Sequence, residues 1–113
     1  MKLFRWEEGR QQSGYFKMLL AQSKRFKFDC YLLKYTTGSA IKMHTDPVEK
    51  GEHHRINIIV KKSKGGGDFW RKWGKNDGSR FVYFRPDIQE HCVSEITEGS
   101  RYVLSIGWIK NVV

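Results

Sequence analysis

The chain has 113 residues, of which 39% are hydrophobic and 14% aromatic, enough apolar material for one modest core and too much for a disordered chain. The formal net charge of +9 favours anionic partners through long-range fields and is silent about fold. No apolar stretch approaches the roughly 20 residues of a membrane-spanning helix, and Met1–Glu8 lacks the apolar run of a signal peptide.

These limits point to a single domain over 1–113 in the cytoplasm, with no membrane contact and an oligomeric state the sequence leaves open. Cys30 and Cys92 show no metal-binding spacing and read as structural thiols. Residues of about 11–27 predict a helical lead-in, because Tyr15, Met18, Leu19 and Gln22 recur at helical spacing with Ser13 as a candidate N-cap. From about 28 to 110 the pattern becomes a β core. Strands are expected at Asp29–Tyr35, Ala40–His44, Arg55–Lys61, Gly67–Trp70, Arg80–Phe84, His91–Ile96 and Arg101–Trp108. Turn signals separate them at Thr37-Gly38-Ser39, Lys64-Gly65-Gly66-Gly67, Asn76-Asp77-Gly78, Arg85-Pro86-Asp87 and Glu98-Gly99-Ser100. Many short strands at this spacing argue for a sandwich or barrel.

Chemistry concentrates at His44-Thr45-Asp46, at the end of an expected strand. Side chains alternate along an extended chain, so His44 and Asp46 share a face with Cα atoms about 7 Å apart, within reach of one metal ion. His91 opens a later strand after a loop and is the natural third ligand. Two imidazoles and one carboxylate on one face suit non-haem iron(II), with positions left open for other ligands. His53 and His54 compete as ligands, but the polar segment Lys50-Gly51-Glu52 before them argues for solvent. On the strand after His91, Arg101 and Ser105 share a face. A buried arginine needs an anion, and its planar fork fits a carboxylate, to which Ser105 adds a hydroxyl.

The run Tyr35…His44-Thr45-Asp46…Arg55-Ile56-Asn57…Gly66-Gly67…Phe84-Arg85-Pro86…His91…Arg101…Ser105…Trp108 resembles the prolyl 4-hydroxylase-like branch of the 2-oxoglutarate/iron(II) oxygenases over about residues 28–110. The resemblance implies a mainly β double-stranded β-helix, or jelly-roll, here with one short N-terminal helix. It also implies oxidative decarboxylation of 2-oxoglutarate to succinate and carbon dioxide, with O2 consumed and a C–H bond of a second substrate hydroxylated. Ascorbate stimulates such enzymes. Carried over residue by residue, it makes His44, Asp46 and His91 the Fe(II) ligands. Arg101 becomes the partner of the 2-oxoglutarate C5 carboxylate, supported by Ser105 and Tyr35, with Asn57 lining the same pocket. Arg55 and Trp108 match the pattern as supports of the sheet. Only about 27 residues precede the strands, where the family usually carries a longer helical layer.

The second substrate stays open between a protein side chain such as proline, another peptide group and a nucleic acid, with anionic character favoured by the charge. Trp70, Arg71, Lys72 and Trp73, in the segment 68–79, form either a substrate-receiving lip or a hairpin covering the barrel end. Two other readings compete. One is a nucleic-acid-binding β-barrel using Phe69, Trp70, Trp73 and Phe81 among Arg71, Lys72, Lys75 and Arg80. The other is a cupin-like protein holding a different divalent metal.

Overall fold

Alternating apolar and polar residues along most of the chain produce strands throughout the computed structural model, which describes residues 3–9, 14–73 and 80–111. Among these residues, eleven strands run in chain order. They are β1 (Trp6–Glu8), β2 (Tyr15–Ser23), β3 (Phe28–Tyr35), β4 (Ile41–His44), β5 (Glu52–Lys61), β6 (Gly65–Gly66), β7 (Phe69–Arg71), β8 (Phe81–Phe84), β9 (His91–Val93), β10 (Ile96–Glu98) and β11 (Arg101–Lys110). Among the described residues there is no helix.

The expected lead-in helix is therefore corrected: its centre is β2. Tyr15–Ser23 pairs antiparallel with β3 from Tyr15↔Tyr35 to Ser23↔Phe28. The two strands join through Lys24–Lys27, where the Phe26 N–H donates to Ser23 Oγ at 3.1 Å. The spacing of Tyr15, Met18 and Leu19 suits a helix, yet Tyr15, Lys17 and Leu19 also alternate. A partner strand a short turn away satisfies the backbone groups, and tertiary pairing overrides weak helical propensity. Ser13, the candidate cap, lies outside the described residues, as does the Asn76-Asp77-Gly78 turn.

Six strands form one large sheet in the order β1-β2-β3-β11-β5-β8. Opposite lie a three-stranded sheet, β4-β9-β7, and a two-stranded one, β10-β6. Buried Tyr35 and Val103 from the large sheet meet Val93 and Ile96 from the small ones, with Leu33, Ile41, Ile59 and Phe69 packed around them. Burying one face of each sheet in this way is the sandwich solution to strand amphipathicity.

One expected strand is divided and another is shortened. His91–Ile96 becomes β9 and β10 on different small sheets, because the chain steps across at Ser94-Glu95 to meet the glycine run. The Ser94 hydroxyl accepts from the Asp68 N–H at 2.9 Å, and the Glu95 carbonyl accepts from the Gly67 N–H at 3.2 Å. Of the expected strand Gly67–Trp70 only Phe69 and Trp70 are extended in a sheet, in β7, while Gly67 and Asp68 form the link from β6. At Gly66, with φ 70°, a Cβ would overlap the Glu95 carbonyl oxygen, so this crossing needs glycine.

Candidate metal centre

His44 ends β4 and His91 opens β9, and the antiparallel pairing sets the two directly opposite. Their rings lie 4.3 Å apart, centroid to centroid. Asp46 sits two residues past His44, where its N–H donates to the Pro86 carbonyl at 2.7 Å. That bond ties the ligand-bearing loop to the Arg85-Pro86-Asp87 turn. Asp46 Oδ2 lies 3.6 Å from His44 Nε2 and 3.4 Å from His91 Nε2. One ligand atom from each of the three residues falls within 4.8 Å of the others, so a single ion between them would meet all three.

The far side of each ring decides the tautomer. His44 Nδ1 is 2.7 Å from the Lys42 carbonyl and His91 Nδ1 is 2.9 Å from the Gln89 carbonyl. A carbonyl only accepts, so each Nδ1 carries a hydrogen, and Nε2 is the ring nitrogen that each histidine turns toward Asp46. Fixing a ligand imidazole through its other nitrogen is the usual support of a metal site. His91 is buried against Phe84, ring centroids 5.0 Å apart, and Phe69 at 6.2 Å. Asp46 keeps 39% of its side chain exposed, on the open side of the group. The donor set and its orientation fit a divalent metal with coordination positions left open.

The group faces a cavity of about 510 Å³ between the sheets. Tyr35, Asn57 and Ser105 line it, as do the three ligand residues. Arg101 does not. It is 3% exposed, and its guanidinium lies over the Tyr35 ring, 5.0 Å from the centroid. Burial pulls the Arg101 pKa down, while Tyr35 and Asp68 act to keep it charged. Burial pushes the Tyr35 phenol up to about 12 against the opposing Arg101 charge, so its hydroxyl stays protonated at neutral pH.

Besides Lys17, the cation that lines the cavity is Arg55, expected from the sequence only to support the sheet. Its Nη2 donates to Asp29 Oδ1 at 2.6 Å and its Nη1 to Ser105 Oγ at 2.8 Å. Ser105 Oγ then donates to Asn57 Oδ1 at 2.6 Å, so the hydroxyl expected to meet a bound carboxylate already serves a side-chain chain. His53 Nε2, 3.3 Å from Arg55 Nη2, accepts from the guanidinium. Burial, followed by the Arg55 charge, lowers the His53 pKa and keeps it neutral.

The solvent-facing expectation for His53 and His54 is thus corrected. His53 lines the cavity, whereas His54 points to the other side of the sheet. There it stacks 5.6 Å from Trp108 and hydrogen-bonds the Tyr83 hydroxyl and Glu52. The period of two from Asn57 through Arg55 to His53 was the signal for this shared inner face. Asp29 and Tyr31, also in the lining, carried no comparable motif.

At the start of the segment 68–79, Arg71 pairs with His91 across β7 and β9. Trp70 is 40% and Trp73 72% exposed, so neither is buried as a plug, and the Lys72 ammonium lies 5.2 Å from the Trp73 ring centroid. Residues 74–79 lie outside the described ones. No helix among the described residues is long and apolar enough to cross a membrane.

No family model matches the sequence, and no curated protein matches it either. Solved structures do. KdgF from Halomonas aligns with a TM-score of 0.63 at 16% identity, over 95% of this chain and 87% of that one. An RmlC-like cupin from Desulfovibrio desulfuricans gives 0.59 at 14%, over 96% and 95%. A prolyl-4-hydroxylase from Pseudomonas putida gives 0.65 at 12%, over 87% and 72%. At these identities the likeness establishes architecture alone: the chain folds as a cupin-type jelly-roll.

Proposed function

We propose that the protein is an iron(II)- and 2-oxoglutarate-dependent oxygenase that hydroxylates a C–H bond of a second substrate. The observation that carries this reading is the convergence of two Nε2 atoms and one carboxylate on a single point, with both Nδ1 hydrogens held by backbone carbonyls. This is the two-histidine, one-carboxylate donor set of non-haem iron, presented to a cavity of ligand size. Bound iron(II) would supply oxygen activation coupled to decarboxylation of 2-oxoglutarate.

The chain's own residues do the rest. His44, Asp46 and His91 would hold the ion from the small-sheet side. Phe69 and Phe84 pack around His91 and exclude water from that flank. The far carboxylate of 2-oxoglutarate needs a cation and a hydroxyl donor. Tyr35 offers a protonated hydroxyl from the lining, and Arg101 stands against the same ring. Turning Tyr35 aside would open the Arg101 fork to a bidentate contact. The architectural likeness to a protein named as a prolyl-4-hydroxylase adds support, since this fold accommodates such a protein.

One observation favours a second reading, a cupin-type metal protein without oxygenase chemistry: Arg101 is outside the cavity lining, and Ser105 is engaged with Arg55 and Asn57. Succinate production separates the two. Protein supplied with Fe(II), 2-oxoglutarate, ascorbate and air should release succinate, and His91→Ala should not. Protein that binds Fe(II) tightly yet releases no succinate above the His91→Ala background belongs to the second reading.

A further inference from the structure

Opposite the histidine pair, the large-sheet wall of the cavity holds a built arrangement that the proposed chemistry leaves unused. Asp29 and Arg55 stand on β3 and β5, with β11 between them, and Gly107 is the β11 residue paired with both. A Cβ at Gly107 would overlap the Arg55 guanidinium. The missing side chain lets Arg55 lie flat across β11 and reach Asp29. Ser105 and His53 hold the guanidinium from its two sides. A guanidinium has five N–H groups, more than these contacts consume. The Asp29 side chain is about a third exposed (31%) and borders the same cavity.

We infer that Asp29 and Arg55 form a recognition edge for the main substrate, specific for a neutral planar group that carries a hydrogen-bond donor beside an acceptor, as a carboxamide does. Charge selects this class. The 2.6 Å ion pair leaves no net charge to attract a simple anion or cation. It presents a carboxylate acceptor beside guanidinium donors, and the complementary group is a donor beside an acceptor. Leaving either half of such an edge unsatisfied on binding is costly, so the pair discriminates more than it attracts. Assigning this group to the main substrate rests on the oxygenase reading; the edge chemistry itself does not.

Three probes of one shape test the edge: benzamide, benzoate and benzamidine, compared by ligand-observed NMR against the metal-free protein. Wild type should prefer benzamide. Asp29→Asn frees the Arg55 charge and should raise benzoate affinity relative to benzamide by on the order of tenfold. Arg55→Gln frees Asp29 and should shift the preference to benzamidine by a similar factor. Circular dichroism verifies folding; should Arg55→Gln fail to fold, the Asp29→Asn shift alone decides. An order of preference that neither substitution changes, or no binding of benzamide to wild type, overturns the inference. Mn(II) added afterwards should broaden the benzamide signals if the ion sits at His44, Asp46 and His91. Absence of Mn(II) binding counts against the metal centre, whereas the edge stands or falls by the probe preferences.

Discussion

The two walls of the cavity hold their polar groups by different means. On the small-sheet wall the backbone does the holding: the Lys42 and Gln89 carbonyls fix two imidazoles, and the Pro86 carbonyl fixes the Asp46 loop. On the large-sheet wall side chains hold one another in the chain Asp29–Arg55–Ser105–Asn57. A backbone support survives most substitutions of the supporting residue, because any residue offers a carbonyl. A side-chain chain does not. The first wall is therefore sensitive at the three ligand positions and tolerant around them, and the second is sensitive along its whole length.

Replacing His44, Asp46 or His91 by Ala breaks the first wall where it cannot adapt. Fe(II) affinity measured by calorimetry should fall by at least about 100-fold for each, while Lys42→Ala should barely change it.

Arg101 gives the next largest effect. Arg101→Ala should weaken 2-oxoglutarate binding by about 100-fold with metal affinity retained, and Arg101→Lys should recover only part, since an ammonium cannot reproduce the fork. Equal affinity in wild type and Arg101→Ala would remove Arg101 from the site.

Gly107→Ala sharpens the contrast from the other side. The added methyl meets the Arg55 guanidinium, so thermal denaturation should show a loss of about 1–3 kcal/mol, with Fe(II) affinity unchanged.

A smaller effect comes from the turn that supports Asp46. Burial alone would raise the Asp87 pKa, but hydrogen bonds from Arg85 and from backbone donors outweigh it and hold the carboxyl below its usual range. Its stabilising contribution is therefore complete above the ordinary carboxylate pKa and is lost as pH falls through the lowered native value. Asp87→Asn should lower stability at neutral pH and flatten the acid limb of the stability curve. The smallest effect is expected of His54→Ala, which removes a stacking partner of Trp108 on the opposite side of the sheet and should leave Fe(II) affinity at the wild-type value.

What could be read from the sequence follows the same division. His44 and Asp46 were legible because strand alternation places i and i+2 on one face, and β4 ends there. Their meeting with His91 needed the β4–β9 register, which no local pattern encodes. The strand boundaries of β3, β4, β8 and β11 came close, since apolar runs and glycine turns mark them. β2 was missed because Tyr15, Met18 and Leu19 fit helical spacing while Tyr15, Lys17 and Leu19 fit a strand, and only the partner strand β3 resolves the ambiguity. Arg55 was undervalued for a related reason. Its reach to Asp29 depends on Gly107, a residue distant in the chain that matters only through the absence of its side chain.

The most direct test of the central claim is an anaerobic titration of the Fe(II)-loaded protein with 2-oxoglutarate, followed by visible absorption. Chelation by a 2-oxo acid at iron held by His44, Asp46 and His91 should produce a saturable charge-transfer band, absent in His91→Ala and reached only at much higher 2-oxoglutarate in Arg101→Ala. A protein that retains its Fe(II) and shows no band at any 2-oxoglutarate concentration would contradict the account.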